Sequence, residues 1–468
     1  MAFLQQQPNR WNLAYAPNIY TVQFTQNPYE QPSDKLVLTV EIEGVEVARF
    51  KQAPNPAGAA HFDISRVLQS YLNPSFVEST SLLAPTPGAA LTYQAKYGIE
   101  NDGVTTIQGA AAVKGVLNGY TNWRTIKWSY LDYIPWPNFE TCLCELPTCI
   151  DNAAYPGPFG TTLYNYLSNW PTTNSAGIKS YKVRNDEFKT LSFFNRIVRW
   201  DSGQMWGPNE SPFFVKYDFY NSAGTLLETN IKTISELTGL PVRTDCNDLT
   251  THDHTFAELV GTIGSGPQNL KNAGIWNTSA ASYNISIYSI NACYINDNGP
   301  IQDCNDLSEL ADYLGYKIYD AAFEVEDKCS AFEPITVSFM NAYGVKDYYT
   351  FDRRNTLTVG AQRSTYTKML GSWNEAAFTI DPQGRGRTSF NTSATTVMQL
   401  STDWMNDTES AWIEELFLSP SVNIYHKGVW EPVVITSSTY EQKTFSRDKM
   451  FQHIIEVQFA NDKQTQRG

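Results

Sequence analysis

Apolar and polar residues alternate with a period of two along most of this chain, so strands dominate the expected structure. From about Ile19 to Tyr120 the alternation runs through Tyr20-Thr-Val-Gln-Phe24, Leu36-Val-Leu-Thr-Val-Glu-Ile42 and Val45-Glu-Val-Ala-Arg-Phe50. Glu43-Gly44 and Asn101-Asp-Gly103 are hairpin turns between such runs. One helical stripe interrupts them: Ile64, Val67, Leu68, Tyr71 and Leu72 share a face, with Asp63 or Ser65 as the N-cap. A second alternating region holds Lys189-Thr-Leu-Ser-Phe-Phe194 and Pro212 to Tyr220, followed by the turn Asn221-Ser-Ala-Gly224. The same strand, turn, strand plan returns at Ile335 to Phe339, Asn341-Ala-Tyr-Gly344 and Asp347 to Phe351.

The C-terminal part combines both periodicities. Trp412, Ile413, Leu416 and Phe417 recur at helical spacing and Pro420 stops the helix. In the last strand, Phe451, His453, Ile455, Val457 and Phe459 share one face, and Gln452, Glu456 and Gln458 the other. Trp412, Leu416, Phe417, Val457 and Phe459 are therefore the expected core of this closing module. Arg353 to Asp403, rich in Thr, Ser, Gly and Asn, reads as a long loop or arm.

The expected fold is mainly β, with several β-sandwich-like modules and a few short helices. The divisions are an N-terminal β-sandwich-like module at 1–125, a Pro- and aromatic-rich connection at 126–180, a second β module at 181–250 and a third at 251–333. A C-terminal β-rich module with one short helix fills 334–468.

Composition sharpens this picture. The 468 residues include 27 Tyr, 24 Phe and 12 Trp, a richness that favours sheets over helical bundles, and the rings of the Pro-rich connection need somewhere to pack, so part of it is expected to meet a neighbouring domain or subunit. Trp136 and Tyr155 in the connection, with Arg385 and Arg387 in the arm, are the interface candidates. The net charge of −14, with dispersed basic residues, argues against a surface that neutralises phosphates. No apolar run is long enough for a membrane-spanning helix, and the opening Met-Ala-Phe-Leu-Gln-Gln-Gln-Pro lacks the basic start and apolar core of a signal peptide. The expectation is a chain that folds in the cytoplasm where it is made, has no membrane partner and keeps its seven Cys reduced.

Candidate chemistry is sparse. His252-Asp-His254 points two imidazoles the same way on an extended chain, with Asp248 or Glu258 as further ligands, but a polar loop is the plainer reading. Cys142, Cys144 and Cys149 fall one short of a structural zinc set unless Cys246, Cys293 or Cys329 lies close. Gly261-Thr-Ile-Gly-Ser-Gly-Pro267 lacks the Lys-Ser/Thr pair of a phosphate cradle and reads as a turn-rich loop. Asn296-Asp-Asn-Gly299 departs from EF-hand spacing. Acid pairs such as Glu324 and Glu326 are what a solvated strand face contains. No catalytic residue, metal or cofactor is expected, and the chain reads as a non-enzyme.

Several segments resemble tail-associated virion structural proteins of tailed phages that infect Bacteroidetes. They are Pro334 to Arg354, Glu409 to Tyr425, Glu431 to Met450 and His453 to Arg467, about a sixth of the chain. The resemblance implies a structural subunit of the virion that forms a homo-oligomeric ring in the tail, tail hub or distal-tail/baseplate region. It also implies other tail or baseplate proteins as neighbours and DNA passing through the lumen without sequence-specific binding. The alternative from another class is a carbohydrate- or receptor-binding tail protein using exposed aromatic rings; a glycan-degrading enzyme ranks last.

Overall fold

In the computed structural model the chain is mainly β, and the description covers residues 1–8, 11–25, 34–74, 82–86, 88–120, 166–168, 170–175, 178–194, 214–234, 260–290, 311–312, 314–326, 332–380, 383, 386–437, 450–461 and 463–464. The chain divides into two compact units, one of residues 1–328 and 340–347, the other of 329–339 and 348–468.

The first unit begins with β1 (Ala2–Gln6), β2 (Trp11–Leu13), β3 (Ile19–Phe24), β4 (Lys35–Ile42), β5 (Val45–Gln52) and β6 (Ala59–Asp63). Helix α1 (Ser65–Tyr71) precedes β7 (Leu83–Pro85), β8 (Ala90–Asn101), β9 (Val104–Ala110) and β10 (Lys114–Leu117). Then come β11 (Lys179–Arg184), β12 (Thr190–Phe194), β13 (Phe214–Tyr220), β14 (Leu226–Thr233) and β15 (Val260–Gly264). Helix α2 (Pro267–Asn272), β16 (Ser282–Ile290) and β17 (Leu314–Glu326) follow.

These strands build two pairs of sheets. The three-stranded sheet β1-β3-β6 accompanies β2-β10-β8-β4-β5, with β9 on β8. Tyr20, Val22, Leu38, Val40, Tyr93 and Val116 fill one common core between them, closed by Ile64, Leu68 and Leu72 around α1. The helix follows the expected stripe with two corrections. Tyr71 is exposed, because the helix ends there and only Leu72 turns back to the core. Ile64 occupies the N-cap without a side-chain cap, while the Asp63 carboxylate accepts from the Ser65 amide at 2.9 Å.

The second pair is β12-β15-β7 and β11-β17-β16-β13-β14. Its core contains a ladder of aromatic rings across four adjacent strands. Tyr181 is paired in register with Phe323, Phe323 with Tyr283, and Tyr283 with Phe219. The Tyr283 and Phe323 rings stack at 4.7 Å and those of Tyr181 and Phe323 at 4.9 Å. Such cross-strand pairs each add roughly 0.2–1 kcal/mol beyond an Ala pair. Part of the aromatic richness thus lies in a buried core. Two further features depart from expectation. Strand β7, sequentially among the first strands, pairs with β15. Gly261 to Pro267 is not a turn-rich loop: β15 is buried, and Pro267 takes the first helical turn of α2, where its missing N–H costs nothing.

The second unit contains most of β18 (Ile335–Met340) and β19 (Lys346–Phe351), then β20 (Thr356–Thr367), β21 (Ser372–Trp373), β22 (Phe378–Thr379) and β23 (Arg387–Ser401). Helix α3 (Asp407–Leu418), β24 (Val422–His426), β25 (Val429–Ile435), β26 (Ile454–Phe459) and β27 (Lys463–Gln464) complete it. One eight-stranded sheet runs β19-β18-β24-β25-β26-β23-β20, with β27 on β23. Helix α3 starts with a full capping box: Asn406 accepts from the Glu409 amide at 2.9 Å, and the Glu409 carboxylate accepts from the Asn406 amide at 3.1 Å. Its inner face buries Ser410, Trp412, Ile413 and Leu416. The Trp412 ring lies 5.3 Å from that of Phe339 and 6.1 Å from that of Tyr349, between centroids. The expected alternation holds from Phe451 to Val457, although regular pairing in β26 begins only at Ile454. The polar member of the buried face, His453, is satisfied by Ser410 Oγ at 2.8 Å.

Turn chemistry recurs throughout. Asn55, Asn221 and Asn341 each open an Asn-x-x-Gly turn whose side-chain oxygen accepts two backbone amides, at 2.9 and 3.0, 2.9 and 2.9, and 3.0 and 3.2 Å. Each closes on a glycine at positive φ, Gly58, Gly224 and Gly344. Glu43-Gly44, Asp102-Gly103 and Lys427-Gly428 have both central residues at positive φ, as two-residue hairpins of type I′ require.

Candidate interface on a projecting hairpin

Residues 353–403, expected as a loop or arm, form a long antiparallel hairpin. Strand β20 pairs with β23 from Thr356 opposite Gln399 to Thr367 opposite Arg387, with one bulge at Ser364 and Thr365. On its other side β23 is flanked by β26 over Val397 to Ser401 and by β27 at Ser393 and Ala394. Beyond Ser393 no other strand flanks the hairpin among the described residues. Gln362 to Thr367, at about 3.3 Å per residue, carries it roughly 20 Å further before the tip begins.

The base of the arm is fixed. Arg353, just before β20, donates from Nη2 and Nε to Asp403 Oδ1, just after β23, at 2.6 and 3.1 Å. The Asp403 amide in turn donates to the Tyr349 hydroxyl at 3.1 Å. A half-exposed ion pair of this kind contributes roughly 0–1 kcal/mol, so its effect is chiefly to set the direction in which the strands leave the sheet. Burial pushes the Tyr349 hydroxyl well above its ordinary pKa, so it stays neutral through the physiological range.

Every residue of β20 is exposed. Partners across an antiparallel pair share a face, and Leu357, Val359 and Ala361 lie opposite Met398, Thr396 and Ala394, all three buried. The side of β23 that faces the core therefore continues onto β20, where Leu357, Val359 and Ala361 are exposed. The strand holds a single charge, Arg363, and no proline, so the usual guards of an edge strand are few.

The tip adds a second apolar group. Trp373 and Phe378 pair across the short β21–β22 hairpin, whose turn is closed by Asn374 accepting from the Ala377 amide at 2.9 Å. Met369, Leu370 and Ile380 stand exposed beside them, and Tyr366 meets Phe390 edge-on at 6.0 Å further down the arm. These seven side chains, with Leu357 and Val359, are each between 44% and 70% exposed.

Of the expected interface residues, Arg387 lies at the outer end of β23 and is exposed. Trp136, Tyr155 and Arg385 lie outside the described residues. So do His252, His254, all seven cysteines and Asn296 to Gly299. Trp412, Leu416 and Val457 are buried, while Phe417 and Phe459 are half-buried. Among the described residues no cluster of His, Cys, Asp and Glu could hold a metal ion, and no helix is long and apolar enough to cross a membrane. Sequence reasoning identified an arm but missed its strands and its apolar side. The period-two run Thr356-Leu-Thr-Val359 is the signal that could have found them.

No protein-family profile and no curated protein matches the chain. Among solved structures, extracellular domains 3–5 of Drosophila OTK align over 92% of this chain and 95% of that chain, at 8% identity and a TM-score of 0.19. So loose a superposition carries no argument about fold or function.

Proposed function

We propose that this chain is a structural subunit of a tailed-phage virion, forming a ring in the tail, tail hub or distal-tail/baseplate region. The observation that carries this reading is the anchored hairpin arm with an exposed apolar side, in a chain whose segments Pro334 to Arg354, Glu409 to Tyr425, Glu431 to Met450 and His453 to Arg467 resemble phage tail proteins. Monomeric soluble proteins rarely leave a contiguous apolar patch of more than a few hundred Å² exposed; larger ones mark association surfaces. The neighbours in this reading are further copies of the chain and other tail or baseplate proteins. The acidic balance then serves a lumen through which DNA slides without being gripped, or keeps the unassembled subunit dispersed.

The test is the mass of the purified chain by light scattering, with negative-stain images of the same peak. Closed rings with a central opening support the reading; a stable monomer at every concentration contradicts a self-assembling ring. A second reading, a glycan- or receptor-binding tail protein, draws on the exposed Trp373 and Tyr366, because sugar rings stack on exposed aromatic faces. Glycan-array binding by a monomer that is abolished by Trp373→Ala would move that reading ahead.

A further inference from the structure

The ring reading leaves open which surface joins one copy to the next, and the inference below rests on that reading. We propose that the β20–β23 arm is the joining element, and that it lies on the body of a second copy of this chain in a head-to-tail contact.

Three observations select this occupant. The first is where the apolar surface sits. Leu357 and Val359 extend a core-facing side that ends in the open, and Trp373, Ile380 and Met369 crown an arm whose base is tied by Arg353 and Asp403. A covering body must therefore reach along the whole hairpin.

The second is area. At roughly 150–250 Å² for a large aromatic side chain and less for an aliphatic one, the four rings and five aliphatic side chains, each about half exposed, offer on the order of 800 Å². This is counted over both faces of the arm, since Tyr366 lies on the opposite face of β20 from Leu357 and Val359, so a partner that embraces the arm gains an area comparable to the roughly 800 Å² one side contributes to a standard stable interface.

The third is charge. Residues 356–401 hold four Lys or Arg and two Asp or Glu, a net +2 within a chain of −14, which leaves −16 on the remainder. Arg363, Lys368 and Arg387 are all exposed on the arm. Arm against arm would set like charges together, whereas arm against body sets opposite ones together. The contact is then heterologous, one surface of each copy meeting a different surface of the next, and such contacts close into rings when the rotation permits.

The experiment uses the full chain with a photo-crosslinking benzoyl-phenylalanine at position 373, as a mixture of isotopically heavy and light copies. Irradiation is expected to join position 373 of one copy to peptides from outside residues 356–401 of a differently labelled copy. Two further variants keep the test independent of that substitution. Replacing residues 368–386 by Asn-Gly closes the hairpin at the Thr367 and Arg387 pair, and Arg363→Glu/Lys368→Glu/Arg387→Glu reverses the charge of the arm. Each is expected to weaken self-association at least tenfold with an unchanged circular dichroism spectrum.

Rings that persist unchanged in the tip-trimmed variant, with no crosslink from position 373, would overturn the inference and leave the ring reading standing. Crosslinks confined to residues 356–401 of the other copy would overturn it in favour of arm-on-arm pairing. A wild-type chain that stays monomeric would overturn the ring reading itself, and this inference with it.

Discussion

Truncating Trp412 tests whether α3 is held by its inner face. The side chain is buried between the rings of Phe339 and Tyr349. Trp412→Ala removes roughly 150 Å² of apolar surface from the interior, which at about 25 cal/mol per Å² costs about 4 kcal/mol. That lies inside the roughly 3–5 kcal/mol usual for truncating a buried Phe or Trp to Ala. Because a chain of two units does not unfold in one step, the assay should read the helix locally. Amide hydrogen exchange followed by mass spectrometry does so, reporting the opening free energy of peptides from 407–418 and 335–339. At about 1.4 kcal/mol per factor of ten, a 4 kcal/mol loss accelerates exchange there by roughly 700-fold. Leu418→Ala, on the exposed side of the same helix, is the control and should stay within about ±0.5 kcal/mol. Acceleration below tenfold for Trp412→Ala, or equal effects from the two variants, would refute the assignment of Trp412 to the core. Trp412→Asp, which buries a carboxylate at the same place, is expected to yield no soluble folded C-terminal unit.

Three further outcomes follow from local geometry. Asn406→Ala removes the oxygen that caps the Glu409 amide and should cost about 1 kcal/mol, read as faster exchange at the first turn of α3 alone. Gly344→Ala and Gly224→Ala place the same residue at nearly the same positive φ in the same type of turn, yet a Cβ at 344 would run into the Asn118 carbonyl oxygen whereas one at 224 meets open space. Gly224→Ala should therefore cost only the left-handed conformation, roughly 1–2 kcal/mol, and Gly344→Ala distinctly more in the same thermal scan; equal shifts would show that the close approach is not limiting. Burial holds the His453 imidazole below its ordinary pKa, so the folded state keeps it neutral while the unfolded chain takes up a proton near pH 6.5. The unfolded state then binds more protons, so stability of the C-terminal unit should fall as pH drops below about 6.5, and His453→Gln should flatten that slope in urea titrations across pH 5–7.

The interface candidates chosen from composition illustrate a general ambiguity. Trp, Tyr and Phe are equally suited to a subunit contact and to a core ladder such as Tyr181-Phe323-Tyr283-Phe219, because both sites require large, rigid apolar rings. Residue type alone does not distinguish them. Position in the register does, since those four rings occupy the same face of four adjacent strands.

What the sequence determined by itself is what depends on near neighbours. Glu43-Gly44 and Asp102-Gly103 are turns because their backbone angles are open to Gly and tolerated by few other residues, and the hairpins β4–β5 and β8–β9 follow. The alternation from Phe451 to Val457 and the helical stripe of Trp412, Ile413 and Leu416 were legible because period two and period 3.6 are properties of a few consecutive residues. The mainly β character follows from the same local signals. Tertiary structure alone decided which strand meets which. β7 pairs with β15, some 175 residues away in the chain, and no local pattern specifies that partner. It also decided that Gly261 to Gly264 is a buried strand, since Phe193 lies so close that only a residue without a side chain fits at 261. The arm is the clearest case. Leu357 and Val359 carry the pattern of a half-buried strand, yet both are exposed, because β20 lies beyond the part of the sheet that the core covers. A pattern states which face of a strand is apolar; only the arrangement of the other elements states whether anything covers it.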